Sequence, residues 1–363
     1  MADLREVFEM ATKQMEPDQD SWRDQERRQR RQARNRKIAA FAAVFAIVIA
    51  AGALALTQRH TTSKVAHRPS PGGSGAIGGL RWLSPSIVGL DGSVRTPLSS
   101  VPVNARSMSL SPDGRQVAFV WNENGINQVG TVDLSSGKVV LFAPSPGVDL
   151  ASNFPTSPGA MMPAWSPDGS KIAFTNGHIY VANADGSGVR RLTHERRGVD
   201  LWPTWSPDGS TIVYSNSGTG ELGSGFSNTQ EIWTVPAAGG TPRRLTHNDV
   251  SDDMPAYSPN GSLIAFFSAG SISVMHADGT HVRSLPGLPG SIFNPRWSPD
   301  GTHLVYTQYR GGRASDGGPL LTIHIYDLKT GTTTTVPGRV DSDVDAPQWV
   351  SNHTLLVNRY TGG

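Results

Sequence analysis

Beyond residue 85 the chain alternates apolar and polar positions with period two, in short runs set off by glycine turns. Lys171-Ile172-Ala173-Phe174-Thr175, Thr211-Ile212-Val213-Tyr214-Ser215 and His303-Leu304-Val305-Tyr306-Thr307 have the pattern of strands with one buried face. Each follows a four-residue turn. The turns are Ser111-Pro112-Asp113-Gly114, Ser166-Pro167-Asp168-Gly169, Ser206-Pro207-Asp208-Gly209, Ser258-Pro259-Asn260-Gly261 and Ser298-Pro299-Asp300-Gly301. Proline presets φ at the second turn position, Asp or Asn hydrogen-bonds its local backbone, and glycine accepts positive φ, so each turn predicts a hairpin between two strands, A and B.

A second hairpin, C and D, follows each pair: Ile179-Tyr180-Val181, the turn Asp185-Gly186, then Arg190-Arg191-Leu192. It recurs from Ile232 to Leu245, from Ile272 to Leu285, from Ile323 to Val336 and from Val129 to Leu141. Four strands per repeat, with 40 to 55 residues between turn serines, is the blade unit of a β-propeller. Residues 87 to 98 read as a C/D hairpin with no A/B pair ahead of it. Gln348-Trp349-Val350 and Thr354 to Asn358 read as an A/B pair with nothing after it. The two halves complete a sixth blade, and pairing first strands with last removes open sheet edges. The expected fold is all-β: a six-bladed propeller over residues 81–363.

The word Trp-Ser-Pro-Asp-Gly followed by Ile-Ala-Phe, then Ile-Tyr-Val and Arg-Arg-Leu-Thr, closely resembles the propeller repeats of the TolB family over roughly residues 85 to 360. The resemblance implies a six-bladed propeller, in agreement with the strand count. The first repeat departs from it with Leu110 where others carry Trp or Tyr, and the last with Val350-Ser351-Asn352-His353 in place of the turn. The amino-terminal α/β domain that bacterial TolB carries ahead of its propeller has no expected counterpart here.

Ahead of the repeats, Ile38 to Leu56 is an uninterrupted run of 19 apolar or small residues, long enough as a helix to cross a bilayer. Seven basic residues between Arg27 and Lys37 precede it without an acid. The positive-inside bias therefore puts residues 1–37 in the cytoplasm and the propeller outside, with 38–56 as a single-pass anchor in the cytoplasmic membrane. Ala53-Leu54-Ala55 has the pattern of a signal-peptide cleavage site, against which stand the polar lead of 36 residues or so and the length of the apolar run. Residues 57–80, rich in Thr, Ser, Pro and Gly, read as a flexible tether. Leu4, Val7, Phe8, Ala11 and Met15 lie at helical spacing, so 1–37 would offer a cytoplasmic partner a short amphipathic helix.

Composition narrows the chemistry. The 40 Gly and 26 Pro suit many short strands, and a formal charge of +2 is no argument for nucleic acid. Cysteine is absent, so no disulfide or zinc–thiolate site forms. No Gly-x-Ser-x-Gly elbow, His-Glu-x-x-His, Walker loop or dinucleotide fingerprint occurs.

The candidate site is the set of D-to-A connections, which run toward the central channel on one face. They hold His194, Glu195, Asp200 and Trp202, then His247, Asp249, Asp252 and Asp253, then Asp341, Asp343 and Asp345. Read functionally, they form a peptide-binding mouth or a site for a hard cation such as calcium. Read structurally, the Asp and His accept backbone hydrogen bonds at turns and strand ends. The run from Asp341 is not an EF-hand, because Ala346 stands at the glycine position and Asn352 at position twelve. The column Trp165, Trp205, Tyr257, Trp297 and Trp349 reads as packing between blades.

The function expected is that of a non-catalytic scaffold binding a protein or peptide outside the cytoplasm, without a cofactor. Two alternatives stand beside it: a metal-dependent six-bladed propeller hydrolase or lyase, and a transmembrane signalling sensor acting through residues 1–37.

Overall fold

The computed structural model describes residues 82–102, 105–123, 126–142, 161–194, 198–217, 230–313, 319–340 and 347–361. The expected cytoplasmic segment, the apolar span and the tether lie outside these residues, as do Glu195, Asp341, Asp343 and Asp345. Among the described residues there is no helix.

Among the described residues, twenty-four strands form six four-stranded antiparallel sheets. The first comprises β1 (Trp82–Gly89), β2 (Val94–Pro97), β23 (Gln348–Ser351) and β24 (Thr354–Thr361), in the order β2-β1-β24-β23. The second is β3 (Arg106–Leu110), β4 (Gln116–Glu123), β5 (Ile126–Asp133) and β6 (Val139–Leu141). The third is β7 (Met161–Trp165), β8 (Lys171–Thr175), β9 (Ile179–Asn183) and β10 (Arg190–Arg191). The fourth is β11 (Asp200–Trp205), β12 (Thr211–Asn216), β13 (Glu231–Pro236) and β14 (Arg243–Arg244). The fifth is β15 (Asp252–Tyr257), β16 (Leu263–Ser268), β17 (Ser271–His276) and β18 (Arg283–Ser284). The sixth is β19 (Ile292–Trp297), β20 (His303–Arg313), β21 (Pro319–Asp327) and β22 (Thr333–Val340). In the mixed-terminus sheet, β1 pairs with β24 along its length, Ser86 opposite Val357 and Gly89 opposite Thr354.

The five Ser-Pro-Asp/Asn-Gly turns are held by the same few bonds. The Ser111 hydroxyl donates to Asp113 Oδ1 at 2.6 Å and accepts the Gln116 amide at 2.9 Å. The Ser166, Ser206, Ser258 and Ser298 turns repeat both bonds. The turn glycines all take φ between 69° and 72°, the left-handed region that costs an L residue roughly 1–2 kcal/mol. Serine hydroxyl and backbone donors together stabilise the charged carboxylates, lowering Asp168 and Asp208 to about 2.

The innermost strands β3, β7, β11, β15, β19 and β23 are each joined to the next by a hydrogen bond at the aromatic column. Trp165 Nε1 donates to Ser109 O, Trp205 Nε1 to Ala164 O, Trp297 Nε1 to Ala256 O and Trp349 Nε1 to Arg296 O, at 2.9 to 3.1 Å. Tyr257 has no indole, and there Thr204 Oγ1 reaches Pro255 O at 3.2 Å instead. Leu110 has none either, and its amide donates to Gln348 Oε1 at 2.8 Å. The aromatic column thus packs between sheets as its spacing implies, and also supplies directional bonds. Farther out, Arg190 Nη2 donates to Ala237 O and Arg243 Nη1 to Asp278 O, each in the following sheet.

The core lies between sheets. Ala173, Ile179, Val181 and Leu192 of one sheet pack with Ile212, Tyr214 and Val235 of the next, and Val305, Ile323 and Ile325 pack with Val88, Leu355 and Val357. Trp205→Phe keeps most of the buried ring and removes only the bond to Ala164 O. It is expected to lower unfolding free energy by about 1 kcal/mol, against roughly 3–5 kcal/mol for Trp205→Ala, as read from urea denaturation midpoints. An unchanged midpoint for Trp205→Phe would show that the bond contributes nothing net.

Candidate functional site

The expected site residues begin the inner strands β11 and β15, and the backbone there has a feature that period-two reading does not show. Ser107, Met162, Trp202, Met254 and Asn294 occupy the same register position in five inner strands, and all five have positive φ, from 48° to 57°. The A/B register slips across each, as between Leu201 and Thr204 or Asp253 and Ala256. This is a bulge with a left-handed residue, which bends the strand and re-aims the side chains ahead of it. In four of the five a proline follows directly, at Pro163, Pro203, Pro255 and Pro295. Two of the bulged amides point at methionine sulfur in a neighbouring inner strand, Trp202 N to Met162 Sδ and Asn294 N to Met254 Sδ, both at 3.4 Å.

Ahead of the bulge stand the carboxylates, and they turn inward. Asp200 is 2 % exposed. Its Oδ2 accepts Thr193 Oγ1 at 2.6 Å and its Oδ1 accepts Asn216 Nδ2 at 2.7 Å. His178 Nδ1 lies 3.4 Å from the same Oδ2. Thr193 Oγ1 in turn accepts the Ile179 amide at 2.9 Å, fastening the end of the D strand to C. The Thr246 hydroxyl does the same for Ile232 and donates to Glu231 Oε2 at 2.6 Å, while Arg244 Nη2 meets Glu231 Oε1 at 2.5 Å. Asp252 is wholly buried and accepts Ser268 Oγ at 2.6 Å and Asn248 Nδ2 at 2.7 Å. Asp253 accepts the Ser215 hydroxyl and the Met254 amide.

The structure therefore divides the predicted set. Asp200, Asp252, Asp253 and Trp202 are buried in the walls, the acids hydrogen-bonded by neighbouring strands, and His194, His247 and Asp249 are exposed on the connections. Among the described residues no three His, Cys, Asp or Glu side chains form a group able to hold a metal ion. The bulged ring, Glu231 and the two threonines were missed by sequence reasoning. Their signals were the proline two places before each aromatic and the repeated Leu-Thr-His at Leu192 and Leu245.

Burial pushes Asp252 and Asp253 up, each to about 6, although hydrogen bonds from Ser268 and Ser215 pull in the other direction. Unfolded, both would titrate near 3.8, so at intermediate pH the folded chain holds protons that the unfolded chain has released. Their contribution to stability is complete below pH 3.8 and is lost as pH rises through about 6. The lowered turn aspartates titrate below that window. The thermal midpoint is thus expected to fall between about pH 4 and about pH 7, and Asp253→Asn to flatten the fall. A midpoint whose slope is the same in both proteins would contradict this assignment.

Comparison with known proteins matches residues 87–270 to the TolB beta propeller domain family. An uncharacterized protein of Agrobacterium fabrum is 29% identical over 217 residues, 52% of this chain and 70% of that one. A TolB homolog of Chlorobium chlorochromatii is 28% identical over 156 residues, 43% of this chain. The match spans only 32% of that homolog's length. A solved structure from Agrobacterium tumefaciens, provisionally assigned to TolB, superposes with a TM-score of 0.60 at 20% identity, covering 78% of this chain and all of that one. That likeness concerns the fold.

Proposed function

The chain belongs to the TolB beta propeller domain family, and from that premise we propose that it is a non-catalytic scaffold outside the cytoplasm that binds a protein or peptide. It is anchored by residues 38–56 with its amino terminus in the cytoplasm, its β1–β24 pairing closes the ring, and its binding face is the end formed by the D-to-A connections. The observation that carries the reading is the division of polar groups at that end. Buried acids spend their oxygens on neighbouring strands and hold the wall rigid, which leaves His194, His247 and Asp249 outward on a fixed frame. Variable groups on connections over a rigid scaffold are the usual physical basis of recognition.

Both parts of the reading are testable in intact cells. A photo-crosslinker at position 194 or 249 is expected to capture a discrete protein partner, and one at Asp185, on the opposite end of its sheet, is not. Equal capture at both ends, or none at 194 and 249, removes the binding face; stoichiometric metal with turnover of lactones or glycans replaces the scaffold with an enzyme. Because the chain has no cysteine, a single cysteine placed at 185 reports topology. It should react with a membrane-impermeant maleimide while one at position 20 stays protected, and the reverse pattern overturns the orientation.

A further inference from the structure

Arg296 occupies an inner-strand position that is electrically neutral in every other sheet. Its counterparts, one residue before the aromatic column, are Ser109, Ala164, Thr204, Ala256 and Gln348. It pairs across strands with Val305, and cross-strand partners share a face. Val305 packs with Leu355 and Val357, so the Arg296 side chain stands on the face toward the sheet of β23 and β24. β19 is bonded within its sheet to β20 alone, so its other edge borders the space that the inner strands surround.

The side chain's hydrogen bonding is what sets it apart. Where Thr204 and Gln348 stretch to the next inner strand, Arg296 turns back, and Nη1 donates to Pro295 O at 3.0 Å. A guanidinium carries five N–H donors, and among the described residues this one meets no other acceptor and no carboxylate. Two arginines near a sheet rim are engaged outside their own residue pair, Arg244 with Glu231 and Arg190 with Ala237 O. Burial alone draws Arg296 down to about 10, which still leaves it charged at neutral pH. Arg296 is half-buried, so its charge is partly withdrawn from water without a counter-ion among the described residues, a cost that an incoming anion relieves, and a planar fork fits a carboxylate through two parallel bonds.

We propose that Arg296 is the anchor of a carboxylate-binding site on the inner edge of β19, beside β23. It rests on the binding reading above only for the source of the carboxylate, a peptide or protein ligand.

The test uses the full chain in detergent and three probes: acetyl-triglycine with a free carboxyl terminus, the same peptide as its amide, and inorganic phosphate. Tryptophan fluorescence, with Trp349 bonded to the Arg296 carbonyl, reads binding. The free acid is expected to bind saturably, the amide not to bind, and Arg296→Gln to weaken the acid at least about tenfold. Arg296→Gln should also raise the thermal midpoint, because the desolvated charge is gone. Two results overturn the site: acid and amide that behave alike, or phosphate that binds where the acid does not. A lowered midpoint for Arg296→Gln with unchanged probe binding also overturns it, since that marks a structural arginine neutralised within the chain. Loss of partner crosslinking at 194 and 249 with the probe pattern intact would instead fault the binding face and leave this site standing.

Discussion

The indole N–H bonded to a neighbouring carbonyl is the interaction on which the architecture depends. Each sheet satisfies its own interior backbone groups, so only side chains can fix one sheet against the next. Apolar packing brings sheets together without setting their register. The bonds from Trp165, Trp205, Trp297 and Trp349 do set it, across sequence separations of 41 to 56 residues. Where the column lacks an indole, at Tyr257 and Leu110, a threonine hydroxyl and a glutamine carbonyl take over. At those two places a different donor and acceptor link the same pair of neighbouring strands, which points to the link rather than the aromatic ring as the requirement.

The left-handed bulge is the second constraint. Holding five non-glycine residues at positive φ costs roughly 1–3 kcal/mol each, and a fold tolerates that only if the surroundings fix the conformation. Here a following proline restricts the backbone in four of the five, and methionine sulfur receives two of the bulged amides. The bend turns Asp200, Asp252 and Asp253 into the wall, where hydroxyl and amide donors await them. Local strain, buried acid and rigid rim are thus one arrangement.

These features differ in how plainly the sequence announces them. The turns were legible because Ser-Pro-Asp-Gly has a local mechanism that needs no tertiary context. The tryptophan column was legible as packing, since one bulky residue per repeat implies one niche per sheet, but its bonds depend on where the neighbouring carbonyl falls. The bulge was not legible: an extra residue in one strand leaves the apolar pattern on either side intact, and Pro163 or Pro203 reads as a strand-edge residue. Asp252 and Asp253 were placed at an open mouth because adjacent acids in a connection ordinarily face water. Two of their donors, Ser268 and Ser215, come from other strands and cannot be paired with them by spacing, while Asn248 comes from the same connection. Arg296 was hidden inside the repeat word itself, one residue from Trp297.

The same four-strand unit holds its carboxylates differently at its two ends. The A/B and C/D turns share one end of each sheet. Their aspartates, among them Asp113, Asp133, Asp185 and Asp278, are held below the ordinary carboxylate range by neighbouring Ser or Thr hydroxyls, so that end keeps its negative charge while its oxygens are already committed. At the other end burial drives Asp252 and Asp253 toward neutrality. The two ends thus differ in how their acids are held, charged and committed to hydroxyls in the turns but desolvated in the wall, and both conditions follow from where each strand end places its hydrogen-bond donors.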